Sequence, residues 1–281
     1  MSVTSFDSLP RQLPRKPSSL RPADLSSLSL DQSLSEVPAV FIRDVLKDLA
    51  TRLLSGINCT TLDPSAIPPP NKALPSHARC TFDPSLASGL SPLPPTFLLA
   101  LTFPATNPNL SPPTKILVPA HSLLYVLESP LFPLSVTGGQ IDKLSAPSTS
   151  SDVPSPSSLL LPILGPIELP SLQAFSILHT YLHTRSLAAL HQSLTTKPAS
   201  NSRLPSPPPS PKLSSSAIRP KPTATPPPYD SREPLGLMKL VEDLWKTVVK
   251  LEIADQGLWE TMERAWEELL RRIGESSERE V

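Results

Sequence analysis

Apolar residues recur at three- and four-residue steps in separate stretches of the chain, and this spacing predicts amphipathic helices. The first stretch covers residues 37–57, where Pro38 fits a first helical turn and Gly56 fits the end. Two later stretches predict helices over residues 171–183 and 186–194. The pattern therefore predicts an early helix and a later helical pair, each with an apolar face for a core.

Continuous apolar runs bounded by proline and asparagine predict strands between these helices. Residues 97–103 and 115–118 form two such runs, and their separation suits a hairpin. A third run covers residues 158–170, where Pro162 and Pro166 interrupt it. Because proline lacks a donor N–H, this run predicts either a strand at a sheet edge or two short strands.

The last part of the chain predicts a second pair of helices. One apolar stripe covers residues 237–251, and another follows Asp255, which fits an N-cap. This pair contains all three tryptophans of the protein: Trp245, Trp259 and Trp266. Because two helices cannot bury them alone, we expect the pair to pack on residues 171–194. A recognition face for a partner is the alternative.

Proline divides the chain into ordered regions and linkers. The 281 residues include 39 prolines, nearly three times the average of about 5%, and proline breaks helices and central strands. Residues 58–94 are punctuated by proline and predict no regular element. We expect an α+β fold, a small sheet with packed helices, plus extensive disordered Pro/Ser-rich segments. The regions are a disordered N-terminal part (1–35), an α+β domain (36–194), a disordered proline-rich linker (195–233), a helical pair (234–273) and a charged tail (274–281).

Charge and cysteine content narrow the classes of function. The 25 basic residues balance 25 acidic ones, so we expect no basic face for direct nucleic-acid binding. Cys59 and Cys80 lie outside any CxxC motif, which supports neither a disulfide framework nor a cysteine zinc site. The N-terminus lacks the apolar core of a secretory signal, and no 18-residue apolar run occurs. An intracellular protein without a membrane segment is expected; its oligomeric state stays open.

Three histidines raise the question of metal chemistry. His179 and His183 lie four residues apart on one predicted helix, and His191 follows eight residues later. Two imidazoles at this spacing reach one metal ion, but Thr180 stands where an H-E-x-x-H motif has glutamate. Histidines on a partly buried helix face are the favoured interpretation, and a metal-dependent enzyme is the alternative. Since nucleophile-elbow and phosphate-loop motifs are also absent, we predict no enzyme activity and no cofactor.

The proline-rich linker contains a recognition motif and candidate phosphosites. The motif is the PPxY ligand of WW domains, formed by Pro226, Pro227, Pro228 and Tyr229. A preformed polyproline helix loses little entropy on binding, and the tyrosine fills an adjacent pocket. The candidate phosphosites, each followed by proline, are Ser206, Ser210 and Thr225. A plain spacer is the alternative interpretation of this linker.

Two spaced signatures occur in the chain: H-x7-S-x2-F within VPAHSLLYVLESPLF and F-x2-L-x2-Y-L-x-T-x2-L within LPSLQAFSILHTYLHTRSL. This pair resembles the core signatures of the BTB/POZ domain. Their leading members are His121, Ser129, Phe132, Phe175, Leu178 and Tyr181. His183 and Arg185 stand where the family has tyrosine and glycine. The resemblance implies a BTB/POZ-like interaction module with both signatures in one core.

The order of segments is also similar to the clampless family of basidiomycete fungi. The similarity is carried by PAVFIRDVLKDLATRLLSGI, by both signatures and by the terminal block LWKTVVKLEIADQGLWETMERAWEELLRRI. It implies a non-enzymatic regulator of clamp-cell and dikaryon development, nuclear rather than cytoplasmic. The implied partners are proteins, either transcription factors or a WW-domain protein. The alternatives are a BTB-type ubiquitin-ligase adaptor and a ligase client recruited through the PPPY motif.

Overall fold

The computed structural model describes residues 12–18, 20, 37–63, 73–87, 89, 91–104, 114–132, 156–197 and 232–279. The helices in these ranges are α1 (Ala39–Asp48), α2 (Ala50–Asn58), α3 (Ser122–Val126), α4 (Leu172–Thr184), α5 (Leu187–Thr195), α6 (Arg232–Lys250) and α7 (Gln256–Arg279), with a 3₁₀ turn at Pro84–Leu86. The strands are β1 (Thr60–Leu62), β2 (His77–Phe82), β3 (Phe97–Phe103), β4 (Thr114–Ala120) and β5 (Ser157–Glu168). The chain is thus a mixture of helix and sheet.

The five strands form one mixed sheet in the order β1-β2-β5-β3-β4. The β3–β4 hairpin is followed by α3, and β5 then pairs in parallel with β3. Buried side chains of β3 contribute to the main core, with Leu99 and Leu101, and to a smaller cluster, with Leu98 and Ala100. A strand covered on both faces requires a continuous apolar run, and the sequence FLLALTF provides it.

β5 lies in the interior of the sheet, so the edge position predicted from its prolines is wrong. Residues 157–162 pair with β2 and residues 163–168 pair with β3. Pro162 closes the pairing with β2, and Pro166 lies where the register with β3 shifts. Each half of β5 therefore forms inter-strand hydrogen bonds along one edge only. A proline, which lacks an N–H, is tolerated where its nitrogen faces the unpaired edge.

The proline-punctuated segment 58–94 contains β1 and β2, so the prediction of no regular element there is wrong. Side chains of β2 alternate between exposed and buried along HARCTF, with Ala78, Cys80 and Phe82 inside. β2 has only six residues, and two of its three buried side chains are small. Its alternation is therefore a weak strand signal in a segment with many prolines. The early helix is also divided, since α1 ends at Asp48 and α2 begins at Ala50.

The C-terminal helices belong to the main core of the fold. α6 packs against α4, and α7 packs against α5 and α6. Trp259 and Trp266 are buried, whereas Trp245 is half-buried. α7 continues to Arg279, so the charged tail predicted from residue 274 is largely helical. An ion pair between Arg271 and Glu275 spans Gly274, which helps the helix continue. None of the helices described above is long and apolar enough to cross a membrane.

Candidate functional site

Four charged side chains meet where the α6–α7 turn packs on the rest of the fold. Arg43 comes from α1, Glu128 follows α3, Arg185 follows α4, and Asp255 precedes α7. The Glu128 side chain is only 2% exposed, and its Oε1 lies 2.6 Å from Arg43 Nε and 3.0 Å from Arg185 Nη2. We refer to these four residues as the charged junction; its two arginines balance its two carboxylates.

Asp255 connects the charged junction to α7. Its Oδ2 accepts hydrogen bonds from Arg185 Nη1 at 2.9 Å and from Tyr181 Oη at 2.8 Å. Its Oδ1 accepts from the Leu258 backbone N–H at 3.2 Å, which confirms the predicted N-cap. Burial and the Asp255 carboxylate raise the pKa of Tyr181, so its hydroxyl stays a donor. One carboxylate thus fixes both the start of α7 and the end of α4.

Two non-glycine residues in the described part of the chain have positive φ. Each ends a helix, one within the charged junction and one in the α6–α7 turn beside it. Arg185 has φ of 53° after α4, and Glu252 has φ of 51° after α6. The Glu252 and Ile253 N–H groups donate to Val249 and Val248, the pattern of a Schellman C-terminus. Arg185 stands where the BTB pattern has glycine, and its guanidinium reaches Glu128 and Asp255. The replacement of glycine by arginine is visible in the sequence, but the two carboxylates that Arg185 contacts could not be predicted from it.

The structure brings the two signature helices into contact. His121, Phe132, Phe175, Leu178 and Tyr181 are all buried in or beside the main core. Buried Ser129 accepts a hydrogen bond at its Oγ from the Leu131 N–H, at 3.1 Å. A hydrogen bond of 2.6 Å joins Tyr125 Oη on α3 with His179 Nδ1 on α4.

His121, His179 and His183 form a histidine cluster, in which His121 and His183 are buried and His179 is half-buried. The ring centroids of His179 and His183 are 4.5 Å apart, and those of His121 and His183 are 5.6 Å apart. His191, which the spacing had grouped with the α4 histidines, lies elsewhere, with Nε2 3.2 Å from Glu268 Oε2. Within the described residues, no group of three or more histidine, cysteine or acidic side chains could hold a metal ion.

The histidine cluster is held in its neutral form. Burial lowers the pKa of His121 to about 4 and that of His179 to about 3, and it also lowers the pKa of His183. His183 Nδ1 donates to the His179 carbonyl at 2.7 Å, and His121 Nε2 donates to the Leu53 carbonyl at 3.1 Å. These bonds place each proton on a defined nitrogen and make the cluster a part of the core.

Residues 12–18, which we call the N-terminal strap, lie against α6 and α7. Leu13 is 7% exposed and belongs to the main core. Trp245 Nε1 donates to the Pro14 carbonyl at 2.8 Å, and Lys16 Nζ donates to the Ala254 carbonyl at 2.7 Å. Arg15 lines a cavity with the carboxylates of α7. This contact was not predicted, because the composition of residues 1–35 indicated disorder.

One face of α1 is apolar and exposed. Val40, Phe41 and Val45, which we call the α1 face, are 65%, 61% and 40% exposed with respect to the described residues. Ile42 and Leu46 on the opposite side are buried in the core. Arg43 also fixes the helix, since Nη2 donates to the Leu127 carbonyl at 3.2 Å.

The remaining predicted sites are the PPPY motif, the candidate phosphosites and the two cysteines. The PPPY motif at residues 226–229 and the candidate phosphosites Ser206, Ser210 and Thr225 lie outside the described residues. Cys59 and Cys80 are free thiols in the smaller core, and burial raises the pKa of Cys80 to about 11.

The family model described as Clampless protein 1 N-terminal domain matches residues 17–170. This match spans more than half of the 281 residues, and the chain belongs to the Clampless family. Membership connects the protein with the development of clamps. No curated protein and no solved structure matches the chain. The matched region contains α1 and the whole sheet and ends before α4 begins.

Proposed function

We propose that this protein is a non-enzymatic regulator of clamp-cell and dikaryon formation in basidiomycete sexual development, and that it acts by binding other proteins. Family membership supports the developmental role. The α1 face is the observation that supports protein binding, because it is an exposed apolar surface on a helix that belongs to the matched region.

The α1 face suits a protein partner for physical reasons. Phe41 and Val45 are one helical turn apart and are neighbours on the surface, and Val40 extends the patch. Clustered exposed apolar side chains are typical of protein–protein interfaces. The helix is fixed beneath this face by Ile42, Leu46 and the Arg43–Glu128 ion pair. A partner would therefore bind a preformed surface, and little conformational entropy of this protein would be lost on binding.

We also propose that residues 36–194 form a divergent BTB/POZ-like interaction module whose partners are transcription factors in the nucleus. The order strand, strand, helix, strand, helix, helix from β3 to α5 supports this proposal. So does the packing of both signatures in one core. A BTB-type ubiquitin-ligase adaptor is the alternative, and recovery of a cullin with the full-length protein would favour it.

The test is complementation of a strain that lacks this protein, by full-length variants. Phe41→Glu should abolish clamp formation and leave the melting temperature within a few degrees of wild type, because the ring is exposed. Leu86→Glu is the matched control, since Leu86 is 62% exposed on the 3₁₀ turn. Affinity purification followed by mass spectrometry should recover a common partner with wild type and Leu86→Glu only. Full complementation by Phe41→Glu would reject the α1 face.

A second candidate function is that of a client of a WW-domain ubiquitin ligase, which the PPPY motif at residues 226–229 favours. The full-length protein should bind a group I WW domain in a fluorescence titration. Tyr229→Ala should remove this binding and keep the melting temperature, because the proline-rich sequence around Tyr229 predicts a linker. Equal titration curves for the two proteins would exclude the motif as a WW ligand.

A further inference from the structure

We propose that the groove between α6 and α7 is a peptide-binding site, and that its ligand is a segment of a partner protein containing leucine, proline and two basic residues in succession. Leu13-Pro14-Arg15-Lys16 of the N-terminal strap has this chemistry and occupies the groove in the free chain. The inference goes beyond the proposed function, since it concerns a surface separate from the α1 face.

Three contacts define what the groove recognises. Leu13 and Trp266 line one cavity and belong to the main core, and Leu13 is only 7% exposed. Trp245 Nε1 donates to the Pro14 carbonyl, a group that every peptide offers. The Ala254 carbonyl accepts from the Lys16 ammonium. A proline-containing segment is already extended before it binds, so it loses little entropy in such a groove.

Charge adds a selection for basic ligands. Glu263 and Glu267 lie one turn apart on α7 and line the cavity that also contains Arg15 and Trp266. Carboxylates beside an apolar pocket favour a ligand that carries arginine or lysine next to its apolar anchor, and they disfavour an acidic one.

The way the strap is held allows exchange with a competing peptide. Only Leu13 of the seven strap residues is buried, whereas Gln12, Pro14 and Arg15 are exposed. A segment with one buried anchor removes little apolar area from water, so the strap is held weakly. A partner peptide of the same chemistry, present at sufficient concentration, therefore displaces the strap.

The experiment uses a fluorescein-labelled peptide of residues 12–18 and full-length protein, with binding followed by fluorescence anisotropy. Leu13→Asp removes the anchor of the strap and frees the groove, so this variant should bind the peptide at least tenfold more tightly than wild type. Adding Glu263→Lys and Glu267→Lys to the same chain should abolish binding. A peptide carrying Leu13→Asp is the matched control and should not bind. Lys16→Glu serves as a second strap variant if Leu13→Asp unfolds, as judged by circular dichroism.

Three results would overturn the proposal. The first is the absence of peptide binding to a folded strap variant, and the second is equal binding after the charge reversal on α7. The third is a wild-type dimer in light scattering that the peptide converts to a monomer, because the groove would then receive the strap of a second copy.

Discussion

Arg185 adopts a left-handed backbone conformation that disfavours any side chain with a Cβ atom, at roughly 1–2 kcal/mol. The structure explains why arginine is nevertheless found there. From this position its guanidinium lies between Glu128 and Asp255, and only a long side chain can bridge both carboxylates. The ion pairs gained outside the helix offset the strain within the backbone.

Replacement of Arg185 should reveal these opposing effects in urea unfolding. Arg185→Ala should lower the free energy of unfolding by about 3 kcal/mol, because it leaves the buried Glu128 with Arg43 alone. Arg185→Gly should be about 1 kcal/mol less damaging, since glycine accepts the left-handed conformation. Lys239→Ala, which removes an exposed pair with Asp243, is the control and should change stability by less than about 1 kcal/mol. Equal stability of Arg185→Ala and wild type would show that the ion pairs of Arg185 add nothing, because alanine keeps the backbone strain and removes only the guanidinium.

The histidine cluster predicts that acid destabilises the protein well above the range where carboxylates titrate. The folded-state pKa values of His121 and His179, about 4 and about 3, lie below the unfolded value of 6.5. The unfolded state therefore binds more protons, and stability is complete above pH 6.5 and falls as the pH drops below it. At pH 5.5 these two histidines together should remove roughly 3 kcal/mol of unfolding free energy.

Urea unfolding at half-unit steps from pH 7.5 to 5.5 measures this dependence. His121→Asn should reduce its slope by about one proton, or roughly 1.4 kcal/mol per pH unit. His77→Gln is the control, because it removes an exposed histidine on β2 that lies outside the cluster. A flat stability profile for wild type would contradict the assignment of neutral buried histidines.

At the scale of elements, α2 lies very close to the segment before β3. A Cβ atom added to Gly56 would lie 1.6 Å from the Leu93 carbonyl oxygen. The Leu93 N–H also donates to the Arg52 carbonyl at 3.0 Å. Glycine is therefore required at this point for α2 to contact the chain that leads into the sheet.

Two alanine substitutions separate this packing effect from helix propensity. Gly56→Ala should destabilise the protein by about 3 kcal/mol or more, since backbone must move to admit the methyl group. Gly236→Ala in α6 meets no atom within 4 Å, so it should stabilise by roughly 0.5–1 kcal/mol. Thermal unfolding of both variants tests the pair, and similar melting temperatures would reject the clash at Gly56.

Sequence patterns predicted the elements whose residues repeat strongly and locally. The strand at Phe97–Phe103 and the helix α4 follow from an unbroken apolar run and from a helical stripe, respectively. Patterns failed where long-range pairing decides the outcome. β5 is interior because two different strands each use one half of it, and no local signal encodes this sharing.

The charged junction was beyond prediction for a related reason. Arg43, Glu128, Arg185 and Asp255 are separated by 57 to 85 positions along the chain when taken in order. Each resembles an ordinary solvated charge in its own segment. Only the packing of α6 and α7 on the preceding helices brings these four residues together, and this packing cannot be predicted from amino-acid composition.

For the whole molecule, the C-terminal helices complete the core of the preceding region. α6 and α7 cover Leu182, Leu190 and Leu194, each at most 3% exposed. A chain truncated after residue 231 should therefore aggregate and lose its cooperative unfolding transition. Deletion of residues 201–220 is the control, since it shortens the linker and keeps both helices; it should stay soluble with a similar melting temperature.

Trp266→Ala measures the same docking without removing any chain. It should lower the free energy of unfolding by about 3–5 kcal/mol, because the ring is 4% exposed. Soluble, cooperative behaviour of the truncated chain, together with a small effect of Trp266→Ala, would instead make α6 and α7 an independent unit.

The contact between the N-terminal strap and the α6–α7 turn has a consequence for biosynthesis. Lys16 and Ala254 are 238 positions apart, so the acceptor emerges from the ribosome long after the donor. At about 5–20 residues per second, this delay is roughly 10–50 s. Once α4 and α5 have been synthesised, their apolar faces lack the helices that bury them until α6 and α7 follow. We therefore expect the nascent chain to expose apolar surface until α6 and α7 are released, so that the yield of folded protein becomes sensitive to how fast this segment is translated.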